Sequence, residues 1–218
     1  MCFNSNLSLS SFIFCIIGII MLYYRNNTND RYYALIFLFI SFIQLGEFFA
    51  WVGIDNKNNL INIFGSYIIY ISLYMQIIAA YLGIYFIANN VIIEKKKIFK
   101  YLIIITVLIT ISFINLLYKK SNDMIITKGY YNHLIWGNNT SDIIFYLFYI
   151  TYPLIIFILL KNKFIPFIVG IYFYIGFLLS YMKYSVRNLS HEWRSIWCLI
   201  GSLAPYLVLL FNSTRINI

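Results

Sequence analysis

A chain of 218 residues that is 62% hydrophobic, 21% aromatic and only 11% charged, with a mean hydropathy of +0.80, lies far outside the soluble globular range. Its net charge of +9 would suggest nucleic acid in a soluble domain. Here the Lys and Arg residues fall almost entirely between apolar runs, where they anchor to lipid headgroups and set topology, and no basic stripe with interleaved aromatics is left for nucleic acid.

Seven apolar runs follow in chain order: Leu7–Tyr24, Tyr32–Val52, Leu60–Ile87, Tyr101–Tyr118, Asp142–Leu160, Phe164–Tyr181 and Ser195–Phe211. Each is long enough to cross about 30 Å of hydrocarbon as a helix, and none alternates as a barrel strand would. The expectation is an all-α, polytopic integral membrane protein: a seven-transmembrane-helix bundle forming a single transmembrane domain over residues 1–218. The N-terminus, MCFNSNLSLSSFIFC, lacks the basic region of a cleaved signal peptide and reads as the start of the first span. Cys2, Cys15 and Cys198 give neither a disulfide framework nor a metal spacing.

The connections RNNTNDR (25–31), GIDNKNN (53–59) and KNK (161–163) read as tight turns, and 89–100 as a basic linker. The long connection, 119–141, contains MIIT-KG-YYNHLIW, which predicts a short β-hairpin with apolar runs flanking Lys128–Gly129. With the N-terminus outside, the inner side holds nine Lys and Arg residues and the outer side seven, which favours N-out and C-in, with the sequons at Asn6, Asn138 or Asn139, and Asn188 facing outward.

Seven spans place the second, fourth and sixth connections on the face of the N-terminus. All four tryptophans (Trp51, Trp136, Trp193 and Trp197), both histidines (His133 and His191) and five of the seven acids map there. The opposite face carries basic turns and little else. The segment SFIQLGEFFAW (41–51) sets Gln44, Glu47 and Trp51 at i, i+3, i+7, one helical stripe, with Glu47 roughly 8 Å below the outer helix end and Gln44 roughly 12 Å. An acid in a span costs about 2.5–3.5 kcal/mol, so it should face protein or water. Arg194 or His191, at the head of the last span in SHEWRSIWC (190–198), is the natural partner for Glu47. Gln76 is closer in depth to Gln44. Three roles are open for the pair: a structural clamp between helices, a working ion, proton or ligand site, and a solvated acid near the interface. Gly46 with Ala50, and Ala79 with Gly83, have the spacing that lets helices approach closely, and Pro153, Pro166 and Pro205 mark kinks or helix starts.

The last span, Ser195–Phe211, has no lysine for a retinal Schiff base. Two histidines in loops do not readily assemble a zinc hydrolase or an intramembrane serine protease, although a mixed His133, His191 and acid site stays open, and no P-loop or HExxH occurs. The reading therefore leans away from an enzyme and requires no cofactor or metal.

Three stretches, SFIQLGEFFAWVGIDN (41–56), GYYNHLIW (129–136) and HEWRSIWCLIGSLAP (191–205), resemble a family of uncharacterised multi-spanning membrane proteins of protists and giant viruses. The pattern is Q-x-x-E-x-x-x-W-x-x-x-D-N, H-L-x-W and E-W-x-S-x-W-C. Here it is carried by Gln44, Glu47, Trp51, Asp55 and Asn56; by His133, Leu134 and Trp136; and by Glu192, Trp193, Ser195, Trp197 and Cys198. Arg194 falls at a position the pattern does not fix, which leaves His191 and Trp197 beside it as partners for Glu47. The resemblance implies no activity, only that the three motifs meet on one face. The candidate polar cluster is Gln44, Glu47, Trp51, His133, Trp136, His191, Glu192, Arg194 and Trp197. The leading expectation is binding or transport of a small solute or ion through it. The alternatives are a structural or partner-binding membrane protein in which it only ties helices together and, last, a membrane-embedded enzyme.

Overall fold

Asparagine side chains open the first three helices. Asn4 accepts a hydrogen bond from the Leu7 amide at 2.8 Å, Asn27 from the Asn29 amide at 3.0 Å, and Asn58 from the Leu60 and Ile61 amides at 3.0 and 3.2 Å. Each satisfies helix-start donors that the helix itself leaves unpaired. The computed structural model describes residues 4–25, 27–88, 94–118, 124–129, 134–135, 160, 164–185 and 193–213. Among these are helices α1 (Ser5–Tyr24), α2 (Thr28–Asp55), α3 (Asn59–Phe86), α4 (Lys95–Leu117), α5 (Phe164–Ser185) and α6 (Trp193–Ser213), and two short strands, β1 (Thr127–Lys128) and β2 (Leu134–Ile135).

The chain is helical, as expected, and three helices, Ser5–Tyr24, Asn29–Asp55 and Asn59–Phe86, are long and apolar enough to cross a membrane. The count of seven is not reached: six helices lie among the described residues, and the expected span Asp142–Leu160 falls outside them except for Leu160. Two connections are shorter than the sequence suggested. Asn27 caps α2 so early that most of 25–31 is helix, and Lys95–Lys100 of the basic linker forms the opening of α4, lysine being a good helix former.

The turn between α2 and α3 is tight because the two helix ends share it. The Asn58 amide bonds to the Gly53 carbonyl at 2.8 Å and the Lys57 amide to the Ile54 carbonyl at 3.1 Å, closing α2 with Lys57 in the left-handed region at φ 52°. Asn58 then caps α3. From this turn the helices run antiparallel with their backbones nearly touching. A Cβ on Gly65 would stand 2.6 Å from both the Ala50 nitrogen and the Gly46 oxygen, and one on Gly53 would stand 2.5 Å from the Asn62 nitrogen. The same register extends to the far end, where Gly83 meets the Tyr32 ring. Gly46, Ala50 and Gly83 thus serve the close approach expected of them, and Gly53 and Gly65 complete it.

Helix α2 is central, packing on α3, α1 and α6; α4 lies on α3 and α5 on α6. Helix α1 meets α6 where Gly18 faces Pro205 and Tyr206. There Tyr206 donates from its hydroxyl to the Phe14 carbonyl at 2.8 Å and stacks on the Phe14 ring. Ile13, Ile17, Ile20 and Met21 of α1 and Ile103, Ile104 and Val107 of α4 are exposed, as side chains facing lipid would be.

Gly65→Ala is expected to destabilise the protein by about 1–3 kcal/mol, because the backbone facing it cannot yield. Gly170→Ala, where an added Cβ meets nothing within 4 Å, is expected to be neutral or to gain about 0.5–1 kcal/mol from helix propensity. Thermal unfolding of the two variants in detergent checks the contrast in sign.

Candidate functional site

The periodicity of α2 sets residues 40, 44, 47 and 51 on one stripe, and Gly46, Ala50 and Gly53 on another that meets α3. The first stripe faces α6: a Cβ on Gly201 would stand 2.7 Å from Ile40 Cγ2. Gln44 and Glu47 are 0% exposed and Trp51 is 2% exposed, so Glu47 is not an acid in interfacial water. Helix α6 runs antiparallel to α2, its last turn lying at the start of α2, where Arg25 donates to the Leu209 carbonyl at 2.8 Å. With about 1.5 Å of rise per residue, the Ile40–Gly201 contact brings the α6 backbone at Trp197 level with Gln44, and at Arg194 level with Glu47. Residues 194, 197, 201, 204 and 208 repeat the same stripe spacing on α6, where Ala204 and Val208 are fully buried.

The third wall is α1. The Phe12 and Phe42 rings pack 6.1 Å apart, which puts the buried Ser8 and Ser11 at the depth of Gln44 and Glu47. Oxygen-bearing side chains of α1 and α2 therefore collect in the half of a seam nearer the α2–α3 turn, and α6 closes that seam. Gln76 belongs elsewhere. It shares a stripe with Gly65, Ile69 and Gly83, the face of α3 that meets α2, at the level of Phe39. It is fully buried and its carboxamide has no hydrogen-bond partner among the described residues.

Over the outer ends of α2 and α3 lies the segment 124–128, held by side chains that substitute for a strand. The Asn62 carboxamide accepts from the Ile126 amide at 2.7 Å and donates to the Ile126 carbonyl at 2.9 Å; it also donates to the Ala50 carbonyl at 3.3 Å. Ser66 donates to the Met124 carbonyl. Met124, Ile126 and Leu134 are almost completely buried, and the Lys128 ammonium sits 5.9 Å from the centre of the Trp51 ring. Strands β1 and β2 pair antiparallel, Thr127 opposite Ile135 and Lys128 opposite Leu134, and β2 rests on α6. The expected hairpin is thus present but minimal, and its turn differs: Lys128 pairs within β1, so the connection is residues 129–133 rather than Lys128–Gly129. Two-residue strands are not stable alone, so the latch depends on α3.

Of the candidate residues, the structure brings Gln44, Glu47 and Trp51 together and puts the backbone of Arg194 and Trp197 at their depth; His133, Trp136, His191 and Glu192 lie outside the described residues. The sequence reading missed Asn62 and Ser66, although two polar residues one turn apart inside an apolar run were a signal. It also took the opposite face to hold little but basic turns. There the Arg25 Nε stands 2.7 Å from Asp30 Oδ2, and Asp30 is completely buried. Its signal was position: Asp30 is three residues after the capping Asn27, within the first turn of α2. Among the described residues no three His, Cys, Asp or Glu side chains gather as metal ligands would. Comparison of the chain with protein-family models, with curated proteins and with solved structures finds no match.

Asn62→Leu is expected to release the segment 124–128, since it leaves the buried Ile126 N–H and C=O unpaired at about 1–3 kcal/mol each. Limited trypsin digestion in detergent is the check: cleavage after Lys128 should become severalfold faster than in the wild type.

Proposed function

We propose that this chain is a seven-span integral membrane protein, with its N-terminus outside and its C-terminus inside, that binds and conducts a small solute or ion through the seam of α1, α2 and α6. Gln44 and Glu47 are its contact groups. The hairpin covers it, and the motifs bearing His133, Trp136, His191 and Glu192 form its rim, as the resemblance to the protist and giant-virus membrane proteins implies. The observation that carries this reading is the complete burial of Glu47 and Gln44 on a membrane-crossing helix, on the stripe that turns away from α3. Carboxylates and carboxamides are expensive there, and ionisable residues within spans characteristically mark ion or proton routes.

One observation favours a second reading. The α6 backbone at Arg194 comes level with Glu47, so an Arg–carboxylate tie would fix α6 on α2 without any transport.

Flux of protons, sodium and potassium into liposomes carrying purified protein, wild type beside Glu47→Gln, separates the two. The proposal expects flux in the wild type and at least a tenfold loss in a variant that still elutes as a folded species. Absence of flux from both, with a lower melting temperature in the variant, would instead establish the tie.

A further inference from the structure

The stripe holding Gln44 and Glu47 does not end in mid-membrane. Followed down α2 at helical spacing it passes Ser41, Phe37 and Tyr33 and arrives at Asp30, and every one of these side chains is at most 4% exposed. Glu47 and Asp30 are seventeen residues apart, about 25 Å along the axis, nearly the thickness of the hydrocarbon. Near the interval around Phe37 the neighbouring helices carry polar groups of their own. Ser202 of α6 and Cys15 of α1, both buried, lie at about the depth of Phe39, as the Ile40–Gly201 and Phe12–Phe42 contacts fix it. At the far end Arg25 seals the mouth: its side chain is 23% exposed, and it holds both Asp30, at 2.7 Å, and the Leu209 carbonyl, at 2.8 Å.

We infer that the seam conducts protons and that Asp30 is its second mouth, with Arg25 as the gate. This rests on the proposed conduction through Glu47 and adds the identity of what moves and where it leaves. The chemistry of the lining selects the proton. A metal cation would have to exchange its hydration shell for several converging oxygens at once. Beyond the level where Ser8, Ser11, Gln44 and Glu47 collect, the lining offers only one or two oxygens or a sulfur at a given depth, with no solvent-exposed surface at Gln44, Glu47 or Asp30. A proton needs only one acceptor at a time. One proton binds the Glu47 carboxylate and passes along the hydroxyl and thiol groups, each taking a proton on one side as it releases its own on the other; the Asp30 carboxylate receives it and releases it, and the relay groups rotate back. No group is changed at the end of the cycle. Release requires Arg25, which is partly exposed, to swing off Asp30.

The test uses liposomes with a trapped pH-sensitive dye and a potassium diffusion potential set by valinomycin, comparing wild type, Glu47→Gln, Asp30→Asn and Arg25→Gln, each checked by size exclusion. The expected result is proton uptake in the wild type, at least a tenfold fall in Glu47→Gln and Asp30→Asn, and a severalfold rise in Arg25→Gln. Proton uptake that Glu47→Gln abolishes and a folded Asp30→Asn leaves at the full rate would overturn Asp30 as the mouth while sparing the seam. Sodium or potassium flux without proton flux, both ions being assayed with an imposed gradient and no valinomycin, would overturn the proton and spare the seam. No flux of any of the three in the wild type would overturn the seam reading and this inference together. Should Asp30→Asn elute as aggregate, Arg25→Gln decides: a raised proton flux supports the gate, and an unchanged one overturns it.

Discussion

The backbone contact between α2 and α3 determines how everything else in the structure is oriented. Gly46, Ala50 and Gly53 admit α3 so closely that the rotation of α2 about its axis has no freedom left. In a membrane, where lipid tails compete equally well for apolar side chains, such contact through small residues is a principal source of helix association. Turning that face to α3 forces residues 40, 44, 47 and 51 toward α6, and so the polar groups of α2 are aimed by small residues, Gly46 and Ala50, one to three positions away. A bulky residue at position 46 would disturb the carboxylate at position 47 without touching it.

The latch follows from the same contact. With Gly53 against Asn62, the Asn62 carboxamide emerges at the outer rim of the α2–α3 pair, where it can reach the Ala50 carbonyl and still present a donor and an acceptor to Ile126. A carboxamide offers the same pair of groups that a neighbouring strand would, so the residue that leads into β1 is held through both its N–H and its C=O. Met124 and Ile126 are thereby buried over the adjoining ends of α2 and α3, and Lys128 caps Trp51 at the end of its stripe.

Much of this was legible in the sequence. Apolar runs fix the helices, asparagines mark their starts, and the spacing of Gln44, Glu47 and Trp51 places them on one face before any coordinates are known. What lay beyond reach were relations between elements. The partner of Asn62 is a backbone group 64 residues away, and a backbone group leaves no trace in the residue types. Gln76 looked close to Gln44 because depth alone was compared; the rotation set by Gly65 and Gly83 turns it toward α2 at Phe39 instead. Asp30 looked like turn because charge was read as exposure, whereas its position in the first turn of a capped helix, one connection after Arg25, is where a carboxylate can be buried.

The two acids of α2 pose the same electrostatic problem at opposite ends, since a carboxylate removed from water is tolerated only if a cation or strong donors replace the water. For Asp30 the solution is local: Arg25, five residues earlier, folds back from the end of α1 and spends its remaining donor capacity on the last turn of α6. For Glu47 no basic residue is that near in sequence; the α6 backbone at Arg194 lies at the same depth. Helix α6 thus meets the start of α2 through a carbonyl near its C-terminus, and its N-terminal turn lies level with Glu47. A rigid displacement of α6 along α2 would therefore move the acceptor that holds Arg25 beside Asp30 and, at the same time, the backbone level with Glu47.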